Sequence, residues 1–132
     1  MDTAALITKS LELVAERGDP TPNVYARLFA EHPEMEKLFV RDTTGGVRGN
    51  MLTEAVTALL DLVDRDAYGS NMMRAEIVNH ENLGVPREVF AVFYTTMRDT
   101  FADLLGEAWT NDIDAAWNEL LARIDSALAS RM

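Results

Sequence analysis

Few side chains in this sequence combine chemical reactivity with an apolar setting, and His80 is the first of them. Counted back by helical steps, Ile77 and Met73 share its face, so the imidazole projects from an apolar stripe. A neutral imidazole placed there is a good ligand for a metal such as iron. A histidine near a helix C-terminus also caps carbonyls and suits the dipole, and periodicity by itself favours that plainer role. Tyr25 is the second. Leu28 and Phe29 beside it are core-like, so its buried hydroxyl would need a partner, either a ligand or a backbone carbonyl. Arg48 lies four residues before Leu52 and so on the same face, close to a core or a cavity. Gly49 next to it costs about 1 kcal/mol relative to alanine inside a helix, a cost that close approach of a crossing helix would explain. His32, preceding Pro33 in a polar turn, reads as a surface residue.

Other chemistries find no support. The chain has no cysteine, hence no disulfide framework, thiol nucleophile or cysteine-held metal, which fits a cytoplasmic protein in a reducing cytosol. It has no glycine-rich phosphate loop, no histidine pair at metal spacing, and no strand–turn–helix context for a serine nucleophile. A net charge of −10 opposes binding to nucleic acid or to an anionic membrane, because both need clustered Lys and Arg. No stretch approaches the roughly 20 apolar residues of a membrane span. Met1 to Val14 lacks the basic and continuous apolar regions of a signal peptide.

The elements that must position these residues are helices. With 132 residues and 48% hydrophobic content, one domain over 1–132 with one sizeable core is expected. Segment one runs from about Thr3 to Arg17 and stops at Gly18-Asp19-Pro20. Thr21 caps the second, with Pro22 at its first position, and it ends before Pro33. Glu34 to Phe39 is a short helical piece, and Arg41 to Gly46 a loop. Leu52, Ala55, Val56, Leu59, Leu60 and Val63 then mark a strongly amphipathic helix, broken by Asp64–Gly69. Ser70 caps a helix of about ten residues ending near His80 or Glu81. Gly84 stops it, and Pro86 opens a long helix that ends at Gly106. Thr110 caps the last, whose buried stripe includes Ile113, Trp117, Leu120 and Ile124. The class is all-α, with about seven helices.

Three stretches together resemble the haem domain of flavohaemoglobins and the related bacterial single-domain haemoglobins. Val24-Tyr25-Ala26-Arg27-Leu28-Phe29, then Glu31-His32-Pro33-Glu34-Met35 and Leu38-Phe39, looks like the B and C helices of that family. His80-Glu81-Asn82-Leu83-Gly84-Val85-Pro86 is similar to its proximal histidine and the turn into its G helix. Leu105-Gly106-Glu107-Ala108-Trp109-Thr110, followed by Ala115-Ala116-Trp117, is similar to the opening of its H helix. Each motif is modest alone, but in order and spacing they cover nearly the whole chain. The resemblance implies a globin fold, three helices over three around a haem pocket. It implies haem b, held by His80 as the iron ligand, and reversible binding of O2, NO or CO. Tyr25 would donate a hydrogen bond to the bound ligand, Phe39 would wedge the haem ring, and Arg48 would take the distal position. Leu52 would bound the ligand cavity one turn later, with Gly49 at a close crossing of the B and E helices. Leu83, Val85, Phe90 and Phe93 would contact the haem from the proximal side and the G helix. Met51 would lie near its edge, and Ile77, on the face of His80, would be a further haem contact.

Two departures from the family pattern qualify the chemistry. Arg48 stands where the family usually has glutamine, and its guanidinium suits either a bound anion or, the blander role, a haem propionate. Phe90 stands where flavohaemoglobins place a tyrosine beside the proximal histidine, and the chain stops short of the position of their glutamate. No carboxylate is then expected to polarise His80, which points to oxygen binding more than to peroxidase-like chemistry. Turnover as a nitric oxide dioxygenase would require a separate reductase. A gas or redox sensor module without turnover is the rival reading, and a haem-free scaffold is a third. Either a monomer or a homodimer fits the sequence.

Overall fold

The computed structural model describes residues 2–39, 41–64, 66, 68–85 and 87–129. Among them are six α-helices: α1 (Thr3–Glu16), α2 (Thr21–Glu31), α3 (Gly46–Asp64), α4 (Gly69–Asn82), α5 (Arg87–Leu105) and α6 (Asn111–Ala129). A 3₁₀ helix, Pro33–Phe39, joins α2 to the α3 loop, and a single 3₁₀ turn, Gly106–Ala108, precedes α6. The expected all-α architecture is present, and the seven expected segments correspond to the six α-helices plus Pro33–Phe39. Pro86, expected to open the fifth helix, lies outside the described residues.

Aspartates start most of these helices. The Asp2 carboxylate accepts a hydrogen bond from the Ala5 amide at 2.7 Å. Thr21 was expected to cap α2, but Asp19 takes that part, accepting from both the amide and the hydroxyl of Thr21. Asp42 accepts from the Val47 and Arg48 amides at the head of α3. At α4, Asp61 accepts from the amides of Tyr68 and Gly69, and Asp66 from Ser70. Ser70 therefore donates rather than caps. A carboxylate at a helix start meets both the unpaired amides and the positive end of the dipole, so it outcompetes a nearby hydroxyl. With this earlier start and an end at Asn82, α4 has fourteen residues instead of about ten. Thr110 does cap α6, accepting from Ile113 at 3.2 Å.

The helices form two layers. In one, α3 packs between α1 and α4; in the other, α5 packs between α2 and α6. The layers meet through α1 and α4 on α6, α1 and α4 on α5, and α2 on α3. The main core between them centres on Trp117, Phe101, Leu59, Met97 and Ile124, all fully buried. Trp117 donates its Nε1–H to the Ser10 hydroxyl at 2.9 Å, and Ser10 donates onward to the Ile7 carbonyl at 2.7 Å. Ser10→Ala strands that indole N–H in a dry core. We expect a loss of about 1–3 kcal/mol in a urea titration.

The close helix crossing falls at a different glycine from the one anticipated. At Gly49 an added Cβ would meet nothing within 4 Å. At Gly69 it would lie 2.5 Å from the Ala58 carbonyl oxygen and 3.0 Å from the Leu62 amide nitrogen. The contact that demands glycine is therefore between α3 and the head of α4. Gly49 is in the first turn of α3, where no close contact offsets its propensity cost.

Candidate functional site

A smaller cluster of Tyr25, Leu28, Met35 and Val89, with Phe29, Phe39, Val85 and Phe93 against it, stands apart from the main core. Between the two clusters lies an apolar cleft that opens to solvent. Helices α2, α3, α4 and α5 and the Pro33–Phe39 turn all contribute to its wall.

His80 lines this cleft from α4. The chain holds it rigidly. Gly84, at φ +96°, adopts the left-handed conformation that glycine tolerates, letting the Val85 amide return to the His80 carbonyl at 2.8 Å. The Gly84 amide bonds Glu81 in the same turn, at 3.1 Å. These bonds satisfy the carbonyls at the end of α4, so the imidazole is not needed as a cap. Instead Nδ1 lies 2.7 Å from the Glu76 carbonyl oxygen. In the neutral ring that bond places the proton on Nδ1 and leaves the lone pair on Nε2. The ring of Phe90 lies 5.0 Å away, centroid to centroid, and fixes the imidazole from the other side.

Tyr25 lines the cleft from α2, 2% exposed, within an aromatic cage of Phe29, Phe39 and Phe93 at 5.4–5.8 Å. Its hydroxyl has no hydrogen-bond partner. The sequence left a backbone carbonyl and a ligand as alternative partners; no carbonyl is there. Burial pushes the phenol far above its usual value, more than the nearby Arg48 charge lowers it, so the hydroxyl stays protonated as a donor.

Phe39, Met51, Val85, Phe90 and Phe93 also line the cleft. Four expected residues do not. Leu52 and Ile77 are buried in the main core, and Leu83 is 70% exposed at the end of α4. Arg48 turns back onto Asp42, with Nε 3.0 Å from the carboxylate and Nη2 2.8 Å from the main-chain carbonyl. Burial would raise the Asp42 carboxyl, but hydrogen bonds from Arg48 and Val47 outweigh it and hold the group below the usual carboxylate value. For Leu52 the reason is the rotation of α3, and for Arg48 it is the pairing with Asp42. Met51, Glu54, Ala55 and Ala58 face the cleft, while Leu52, Leu59, Leu62 and Val63 face the core. Spacings of three and four make Arg48 part of the Met51–Ala55 face, one turn nearer the start of the helix.

Further side chains line the cleft that the sequence did not mark for it. Ala55, beside the expected Met51 on α3, takes the place expected of Leu52. Tyr94, 4% exposed, packs edge-on against both Phe90 and Phe93. It follows Phe90 by one helical turn, a signal that spacing could have supplied. Glu76, one turn before His80, brings a carboxylate oxygen to 3.6 Å from Nδ1. The carboxylate missing from the expected position thus has a counterpart elsewhere. Among the described residues, no helix is long and apolar enough to cross a membrane.

The flavohemoprotein of Bordetella pertussis is 24% identical over 132 residues, 98% of this chain and 33% of that protein. That of Rhizobium meliloti is 26% identical over 129 residues, covering 96% and 32% respectively. That of Halalkalibacterium halodurans is 22% identical, covering 89% and 29%. The chain spans about a third of the length of these curated relatives. The sequence pattern of the globin family matches residues 22–128, which take in α3, α4 and α5 completely, α2 in all but its first residue and α6 in all but its last, and leave α1 outside. The chain belongs to the globin family.

Proposed function

We propose that this globin binds haem b in the cleft and uses it to bind O2, NO or CO reversibly. The observation that carries the reading is the pair of polar groups lining one apolar cleft: His80, with its Nε2 lone pair free, and the unpartnered hydroxyl of Tyr25. A buried hydroxyl without a partner is costly, and a group that enters the cleft would relieve it. The donor set therefore fits haem. Haem held there would supply an iron able to bind a diatomic ligand.

The chain's own part is to hold, donate and exclude. His80 serves as the iron ligand, kept in one tautomer by Glu76 and in one plane by Phe90. Tyr25 donates from a dry aromatic cage, where a hydrogen bond to a partly negative ligand is stronger than in water. Phe39 and Phe93 keep water out of that cage. Arg48 is engaged by Asp42 and guards the start of α3. The relatives' name denotes a protein with both flavin and haem, and this chain spans only a third of them. Nitric oxide dioxygenation, in which NO, O2 and one electron give nitrate, would need a reductase to supply that electron.

Absorption spectra of the ferric, ferrous and CO-bound forms test the reading directly. Haem added to purified protein should give a Soret band that shifts with CO; its absence would reject haem binding. Tyr25→Phe should speed O2 dissociation by about tenfold or more, as expected for a lost hydrogen bond of ~1.5 kcal/mol. The same substitution removes an unsatisfied hydroxyl, so the haem-free protein should be no less stable in urea. Unchanged O2 dissociation would remove Tyr25 from the ligand site.

A further inference from the structure

His80 and Glu76 stand one turn apart on α4, both lining the cleft. Such a pair on a helix surface is ordinarily a weak solvated contact. Two features separate this one. The His80 side chain is only 19% exposed, and its Nδ1 already donates to the Glu76 main-chain carbonyl, so the ring cannot swing away from the Glu76 side chain. The carboxylate is 40% exposed at present, and any group that fills the cleft withdraws it further from water, which strengthens its pull on the Nδ1 proton.

We propose that Glu76 is a positioning residue for His80: the charge of its carboxylate, 3.6 Å from Nδ1, polarises the N–H that the ring donates to the Glu76 main-chain carbonyl and makes the imidazole a stronger electron donor to the haem iron. The inference rests on the haem-binding reading above. It assigns to an α4 carboxylate a part that the sequence left unfilled, and it changes the chemistry expected of the site. A more electron-rich iron holds the ferric state more firmly and makes electron supply a tighter constraint on turnover. The other groups around the pair are compatible with this. Tyr94 is buried against Phe90, and its phenol is pushed up first by burial and then by the Glu76 charge, which places Glu76 within electrostatic reach of the floor of the cleft. Arg74, the cation two residues before Glu76, is engaged by Asn71 and by the Ala127 carbonyl, so it does not neutralise the carboxylate.

The test compares Glu76→Gln, Glu76→Asp and Glu54→Gln in the haem-loaded protein. Glu54 contributes a carboxylate to the same cleft from α3 and serves as the control for charge alone. The readouts are the iron–histidine stretching frequency by resonance Raman and the ferric/ferrous midpoint potential. Glu76→Gln should lower the stretching frequency and raise the potential. Glu76→Asp keeps the charge but shortens the reach, and should lower the stretching frequency as well. Glu54→Gln should leave that frequency unchanged. An unaltered frequency in both Glu76 variants overturns the proposal, as does an equal change in the Glu54 variant. Wild-type protein that takes up no haem would instead defeat the underlying functional reading, so the two failures are distinguishable.

Discussion

His80→Ala is expected to abolish the Soret band of the reconstituted protein, or to weaken haem affinity by more than about 100-fold. Loss of residues that merely orient a metal ligand already costs ~10–100-fold, and His80 is the proposed ligand itself. The chain's other histidine, His32, sits beside Glu34 at 3.5 Å and does not line the cleft. No second imidazole can take over. The imidazole bonds only within its own helix, and the turn that ends α4 is held by main-chain bonds through Gly84, so helicity by circular dichroism should be unchanged. Added imidazole should restore part of the band. Wild-type haem affinity in the variant would show that another side chain ligates the iron.

Gly69→Ala should destabilise the protein by about 1–3 kcal/mol, the usual cost of forcing atoms into a packed contact. The new Cβ would collide with backbone, the Ala58 carbonyl and the Leu62 amide, which no side-chain rotation can relieve. Helices α3 and α4 must then separate. Because α4 carries His80, haem affinity should fall with stability. Gly49→Ala is the opposite case: its Cβ meets nothing within 4 Å, and alanine is favoured over glycine in a helix by about 1 kcal/mol. One glycine on α3 and one on α4 should therefore shift the urea midpoint in opposite directions. A destabilised Gly49→Ala would return the close crossing to where the sequence alone had suggested it.

That exchange of glycines shows where sequence reasoning reaches its limit. Helical period and breakers were enough for the helices, because burying an apolar stripe at spacings of three and four leaves few other solutions. The turn after His80 was equally legible, since Gly84 has a conformational task that only local geometry sets. The rotation of α3 was not. Its apolar residues are numerous enough to offer two adjoining stripes, and both Leu52 and Ala55 lie on a buried side of the helix. Which of the two faces the cleft depends on contacts with α2, α4 and α6 that no local pattern records.

The sequence by itself determined that His80 and Tyr25 deserve to be paired: one imidazole on an apolar stripe and one phenol among core residues, embedded in motifs whose order matches the globins. Tertiary structure decided what each of them faces. It left the Tyr25 hydroxyl unpartnered within an aromatic cage, drew Arg48 back onto Asp42, and set Glu76 beside the Nδ1 of His80. The physical reason is that a residue's chemistry is written in its type, whereas its partner is fixed by how helices rotate and pack. His80 thus passes from one of two roles allowed by its position to a side chain whose capping duty is already met by the backbone.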